Sequence, residues 1–525
     1  MNSSTNHITS TDIASTPDAK PVSQPSVTTP AVPLRALCTL LGIFISAMMA
    51  GLNNRVGTIG LVDVRGALGL SVDDASWLTT SYLAGELLIT PFATWFAITF
   101  SIRRFHTYMV AVCVTIALIL PFSSSLSQIV ALRFIQGIAS GALVPLLMVV
   151  ALKTLPLNIR LHGLALYAMT ATFSPNIAIW LAGYWSDGLH EWRLIYWQII
   201  PVCIIAVALV NFGAPKEDIK YARFAQGNWL GMLLGVAGMI LLTITLTQGV
   251  RLDWFNSPLI TLCTVNGLVF FALYLVTEWF HPTPFINLRL LSRRNLALGS
   301  IIFCIMLIAL MSATALPMSY LASIQAYRAM QSAQLGLTVG LPQLILGSVV
   351  ALLLYRKWVD ARIVFAIGLG LIGMACFVSA EVNSLWNRDQ FLFGQIMQAI
   401  GQPMAVVSML FLTTSVVHPQ EGPFFSGIIN TLRVLGTLLG STLMGHLLVE
   451  RGHYHSDRLL EYASTANNAL TTLTQSQLAQ ILSQESLTLS VADIYRVFGI
   501  AICLMIPLVL SMTYIPAPKA QTTSN

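Results

Sequence analysis

Charge is what this chain has least of. Only 9% of its 525 residues are Asp, Glu, Lys or Arg, while 56% are hydrophobic. Soluble domains carry about 25% charged residues, so a soluble domain of this size is excluded. The net charge of +6 lies in short segments between apolar runs. That placement speaks against a nucleic-acid surface and for loops at a membrane face. Cysteine is also scarce: all seven fall inside apolar runs, with no Cys-x-x-Cys and no Cys/His cluster. A disulfide framework and a zinc site therefore have no support. No nucleophile–base pair, metal cluster or phosphate-binding glycine loop stands in a credible context, so an enzyme is the weakest reading and no cofactor is expected. Residues 1–33 are rich in Ser, Thr, Pro and Ala and poor in large apolar side chains; they predict a disordered tail.

What the chain has is hydrophobic length. Runs of about 20 apolar residues recur, enough to cross a bilayer as helices. They predict spans near 35–58, 75–100, 105–122, 128–152, 162–184, 194–213 and 229–249. Seven more follow near 258–280, 295–317, 332–354, 361–380, 390–415, 422–448 and 494–514. The fold class expected is an all-α polytopic membrane protein with fourteen spans. Basic residues concentrate in alternate loops, including Arg103, Arg104, Lys153, Arg160, Lys216, Arg293, Arg294, Arg356 and Lys357. This places those loops, and with an even span count both termini, on the cytoplasmic side.

Phe134-Ile135-Gln136-Gly137-Ile138 is echoed by Ile396-Met397-Gln398-Ala399-Ile400, and the same offset carries the first span onto the ninth. The expected division is a tail at 1–33, a six-helix half at 34–213, a linker with two extra spans at 214–294, a second half at 295–514 and a tail at 515–525. An external loop at 450–493 falls within the second half, with one short amphipathic helix from Leu470 to Leu482. Two parallel halves with a site between them is a transporter plan.

Few residues in these spans can carry chemistry. Arg133 lies in the fourth span, where a cation is costly unless it faces protein or water; tying helices together is the plainer alternative. Gln136 follows on nearly the same face, and Gly137 and Gly141 would admit a close neighbour. Glu86 is the one acid deep within the first six spans, about 16 Å into the second at 1.5 Å per residue. It either carries a proton or is a neutral group hydrogen-bonded between helices, with Arg55 and Arg133 as candidate counter-charges. Asn53 and Asn54 adjoin Arg55 in the first span. Arg433 and Asn430, a turn apart in the thirteenth, suggest gating or tethering, and a purely structural role is as well supported. His446 reads as a packed residue near the membrane edge. Trp180, Trp185, Tyr82 and Tyr167 could offer aromatic surface to a substrate, although Trp and Tyr also gather at membrane interfaces.

Several stretches resemble the fourteen-helix drug:proton antiporters of the major facilitator superfamily, the EmrB/QacA type. They are Trp77 to Pro91, Arg133 to Gly141, Gly183-Tyr184-Trp185-Ser186-Asp187 with Trp192-Arg193, Asp253-Trp254-Phe255, Leu291 to Leu296, Leu316-Pro317 closing the ninth span, and Asn430 to Arg433 with Gly436. The resemblance implies a major facilitator fold and proton-driven export of small amphipathic compounds from the inner (cytoplasmic) membrane. In Gram-negative cells it further implies a periplasmic adaptor and an outer-membrane channel. There are departures. Asn53 stands where the family carries an Asp, and an amide does not titrate. The loop before Arg103-Arg104 lacks the family's Gly and Asp. The Gly-Pro of the fifth span appears as Ala178-Ile179, although Pro175 and Gly183 remain. These bear on proton coupling, leaving uncoupled transport, uptake of a specific molecule or a non-transporting receptor as alternatives.

Overall fold

The computed structural model describes residues 34–156, 159–465 and 474–517. Fourteen helices among the described residues are long and apolar enough to cross a membrane. They are α1 (Leu34–Ile59), α2 (Val72–Phe100), α3 (Ile102–Phe122), α4 (Leu126–Thr154), α5 (Arg160–Gly188), α6 (Leu194–Gly213) and α7 (Trp229–Gln248). Then come α8 (Pro258–Phe280), α9 (Arg294–Ile324), α10 (Ala329–Leu354), α11 (Ala361–Ser379), α12 (Arg388–Thr414), α13 (Gly422–Thr465) and α14 (Gln475–Leu510). Helices are the expected solution, because hydrocarbon offers no partner to an open backbone N–H or C=O.

The first six helices meet the last six chiefly where α5 packs along α10 and α2 along α13, with α5 on α12 and α4 on α13 beside them. The internal repeat maps α2 onto α10 and α5 onto α13, so these two contacts occupy equivalent places about a pseudo-twofold axis, α5–α10 being the more extensive. The α7–α8 pair packs on itself, and α7 leans on the outside of α2 and α13.

Two expectations are corrected. The ninth span does not end at Leu316-Pro317. The helix breaks at residues 313–314 and restarts at Ala315, running to Ile324. Pro317 sits in the first turn of the new segment, where its missing N–H costs nothing. The stretch 450–493 is not an open loop with one short helix. Instead α13 runs 44 residues to Thr465 and α14 begins at Gln475. At 1.5 Å per residue α13 is about 66 Å long, roughly twice a hydrocarbon core, so the pair projects beyond the bundle. Low hydropathy made this stretch read as a loop, but ionic and capping contacts sustain the helices. Arg451 Nε lies 2.8 Å from Asp493 Oδ2, and His455 Nε2 lies 2.8 Å from the same oxygen. Thr474 caps α14, its Oγ1 accepting from Gln477 N. Residues 470–473 of the expected short helix lie outside the described residues; the rest is the first turns of α14.

Candidate functional site

Glu86 is delivered to the middle of the bundle by α2, whose start is fixed by Ser71. The Ser71 Oγ accepts from Asp74 N at 3.0 Å, and Asp73 and Asp74 occupy the first turn, where negative charge suits the helix dipole. Beyond Glu86, Thr90 Oγ1 donates to the Glu86 carbonyl at 2.6 Å.

The Glu86 carboxylate has two partners. Asn54 Nδ2 donates to Oε2 at 2.9 Å. Arg433 Nη2 lies 3.8 Å from Oε1, and both side chains of this pair are nearly buried, at 11% and 12% exposure. The nearest cation is therefore Arg433 of α13, not Arg55 or Arg133. Arg55 still shares the space: it lines a cavity of about 50 Å³ with Asn54, Glu86, Ser174, Pro175 and Arg433. A second cavity of about 20 Å³ adjoins it and shares Arg55 and Pro175, adding Asn176 and Gln402. Both lie between the halves.

Arg133 sits elsewhere. It is 2% exposed, its guanidinium carbon stands 4.3 Å above the Tyr82 ring and 5.6 Å from that of Tyr196, and Nη1 donates to Gln136 Oε1 at 2.8 Å. It makes no ion pair among the described residues. Gly57, one turn beyond Asn53 on α1, faces this guanidinium; a Cβ there would meet Nη2 at 3.3 Å. Asn53 itself is fully buried, with neither amide atom hydrogen-bonded, and it does not line the Glu86 cavity.

The glycines of α4 hold α2 close. A Cβ on Gly137 would fall 2.1 Å from the Tyr82 carbonyl oxygen, and one on Gly141 2.7 Å from that of Glu86. Gly183 meets the start of α10, where a Cβ would lie 2.4 Å from Met330 N. Asn430 accepts from the Tyr167 hydroxyl at 2.9 Å and donates to Ser426 O at 2.8 Å, so it joins the halves and does not contact Glu86. Of the four aromatics considered for substrate contact, none lines the cavity: Tyr82 holds Arg133, Tyr167 holds Asn430, and Trp185 donates to Gln198. His446 accepts from the Trp254 indole at 3.2 Å, a packing role.

Contacts link the two halves toward both ends of the bundle. At the end bearing the basic loops, Thr94 Oγ1 donates to Pro423 O at 3.1 Å and Ser426 Oγ to Pro145 O at 2.8 Å. At the other end Arg328 pairs with Asp63 at 2.8 Å and Asp187 at 2.6 Å, and Asp187 also accepts from Met330 N at 3.1 Å.

Ser174, Asn176 and Gln402 escaped the reading of the sequence. The repeat offered a signal for the last: Gln398, the counterpart of Gln136, accepts from Gln402 Nε2 at 3.3 Å one turn on.

Comparisons with known proteins agree with this architecture. Residues 40–305 match the Major Facilitator Superfamily. The chain is 24% identical to the multidrug export protein EmrB of Escherichia coli K12, over 81% of this chain and 83% of that one. It is 23% identical to the fatty acid resistance protein FarB of Neisseria gonorrhoeae, over 89% and 94%. Among solved structures, the human organic anion transporter MFSD10 (TETRAN) aligns with a TM-score of 0.58 at 12% identity, covering 91% of this chain and 99% of that one. The matched span, together with the fourteen helices and the paired crossings between the halves, places this chain in the major facilitator superfamily.

Proposed function

We propose that this transporter exports small amphipathic compounds across the inner (cytoplasmic) membrane in exchange for protons, with Glu86 as the proton carrier. The observation that carries this is the placement of Glu86. It is a carboxylate on the wall of a central cavity between the halves, held by Asn54 and facing Arg433 of the opposite half. A proton on Glu86 would release Arg433 and loosen a link between the halves, so protonation and conformation are coupled through one contact. The basic loops support an orientation with both termini cytoplasmic. In that orientation the α13–α14 projection lies outside, where a periplasmic adaptor leading to an outer-membrane channel would meet it.

The test is reconstitution of the purified chain in proteoliposomes with an imposed pH gradient. Addition of transported amphipathic compounds is expected to produce a proton flux that protein-free vesicles lack. Uncoupled or uptake transport is the second reading, and Asn53 in the place of the family acid favours it. Under that reading compounds equilibrate with no proton flux.

Arg133 is expected to be required. Arg133→Ala leaves the Gln136 amide and two ring faces without their cation, and transport at matched expression should fall about tenfold or more, as for loss of a charge-assisted contact. Arg133→Lys keeps charge but loses the planar fork, so its initial rate should be intermediate. Wild-type initial rates in the Ala variant would return Arg133 to a dispensable role.

A further inference from the structure

The central cavity does not balance its own charge. Two guanidinium groups, Arg55 and Arg433, share it with a single carboxylate, Glu86. Among the described residues Arg55 makes no hydrogen bond or ion pair, and Arg433 Nε is buried without a partner. Away from the cavity, Arg133 is a further buried cation without an ion pair among the described residues, and Asn53 on α1 is an amide. A cation at this depth is costly unless something pairs with it, and a buried unpaired charge is the expensive case.

The geometry points to an organic anion as the substrate, its carboxylate, sulfonate or phosphonate held between Arg55 and Arg433. Guanidinium forks suit such oxyanions in a way that single ammonium groups do not. The adjoining cavity extends the description. Asn176 Nδ2 is committed to Thr172 O at 2.6 Å and Gln402 Nε2 to Gln398 Oε1 at 3.3 Å, which leaves Asn176 Oδ1 and Gln402 Oε1 buried and unpartnered. Two free acceptors beside an anion site call for a hydroxyl or amide N–H on the same molecule, because an unmatched buried acceptor penalises any ligand lacking the donor.

The proposal rests on the transport reading only for its direction of movement. An anion leaving a cell of negative interior is driven by the membrane potential itself, at about 2.3 kcal/mol per charge per 100 mV. Such a substrate gains driving force whether or not a proton enters in exchange, and a helix 1 acid becomes dispensable.

The experiment uses the purified full chain and three probes of one shape: 6-hydroxynaphthalene-2-sulfonate, the corresponding neutral sulfonamide and the trimethylammonium analogue. Binding is read by equilibrium dialysis and by the shift in melting temperature. The sulfonate should bind and the ammonium should not. Arg55→Gln and Arg433→Gln should each weaken sulfonate binding about tenfold or more, equivalent to about 1.4 kcal/mol, with Arg55→Lys recovering part of it. Glu86→Gln should strengthen it, because it removes the competing carboxylate. This opposite sign separates charge from general damage and stands even if the arginine variants fail to fold. Ammonium binding equal to or above that of the sulfonate, no sulfonate binding at millimolar concentration, or weaker binding in Glu86→Gln would each overturn the proposal. In proteoliposomes under a potassium–valinomycin potential, the sulfonate should move toward the positive side. Movement of the ammonium instead overturns the anion site and leaves transport intact. A sulfonate that binds and never moves supports the site and removes the transport reading.

Discussion

Glu86→Gln should abolish pH-gradient-driven accumulation while substrate exchange across the membrane survives. The substitution is nearly isosteric, so the cavity and the Asn54 contact can persist, but the side chain no longer titrates. Arg433, 3.8 Å away in the native protein, then faces a permanently neutral neighbour, as it would beside a protonated Glu86. The decisive measurement is substrate-dependent proton flux in vesicles, compared between native and variant proteins at equal incorporation. Equal fluxes would exclude Glu86 as the carrier and move the search to α13 or to an uncoupled mechanism. Asn53→Asp provides a companion variant: a second titrating group on α1 should change the pH dependence of transport.

The second large effect concerns packing. Gly137→Val should prevent normal assembly of α2 against α4. The added Cβ would meet the Tyr82 carbonyl oxygen at 2.1 Å, and Gly85 on α2 makes the reciprocal approach, its Cβ position 2.2 Å from Phe134 O. Both obstacles are backbone, so no side chain can swing away. Overpacking a well-filled interface typically costs about 1–3 kcal/mol, and a clash with backbone on both sides belongs at or above the top of that range. Because Gly141 contacts the Glu86 backbone in the same seam, any retreat of α2 also moves the carboxylate away from Asn54. The expected result is a markedly lower melting temperature in detergent and loss of transport in whatever fraction survives. Gly370→Val is the control: nothing lies within 4 Å of its Cβ position, and it should behave as native. A Gly137→Val protein with native melting temperature would show that the two helices are not held at this distance.

Much of the architecture was legible in the sequence because of the bilayer. Span number follows from hydrophobic length, and helical form from the need to satisfy the backbone internally. The depth of Glu86 follows from its position within its span, and the pairing of α2 with α13 and α5 with α10 is consistent with the repeat. The restart of α9 after residue 314 and the continuation of α13 to Thr465 were not legible. In the first, Pro317 acts as a helix starter where it read as a terminator. In the second, hydropathy falls while helical hydrogen bonding continues.

The sequence by itself determined that this is a fourteen-span helical protein with one deep acid in its first six spans, arginines in the first, fourth and thirteenth, and a small-residue seam. The composition of each span is enough for that. Only the tertiary structure decided which of those arginines faces Glu86. The helices are apolar on nearly every side, so hydropathy does not reveal how each is rotated about its axis, and a one-residue rotation of about 100° changes every partner. Arg55 is close in the chain and Arg133 lies in the recognisable motif, yet the contact is made by Arg433 across the interface between the halves. Arg133 is turned instead onto the Tyr82 ring. The charge excess of the cavity, and with it the inference about substrate, exists only once that packing has been set.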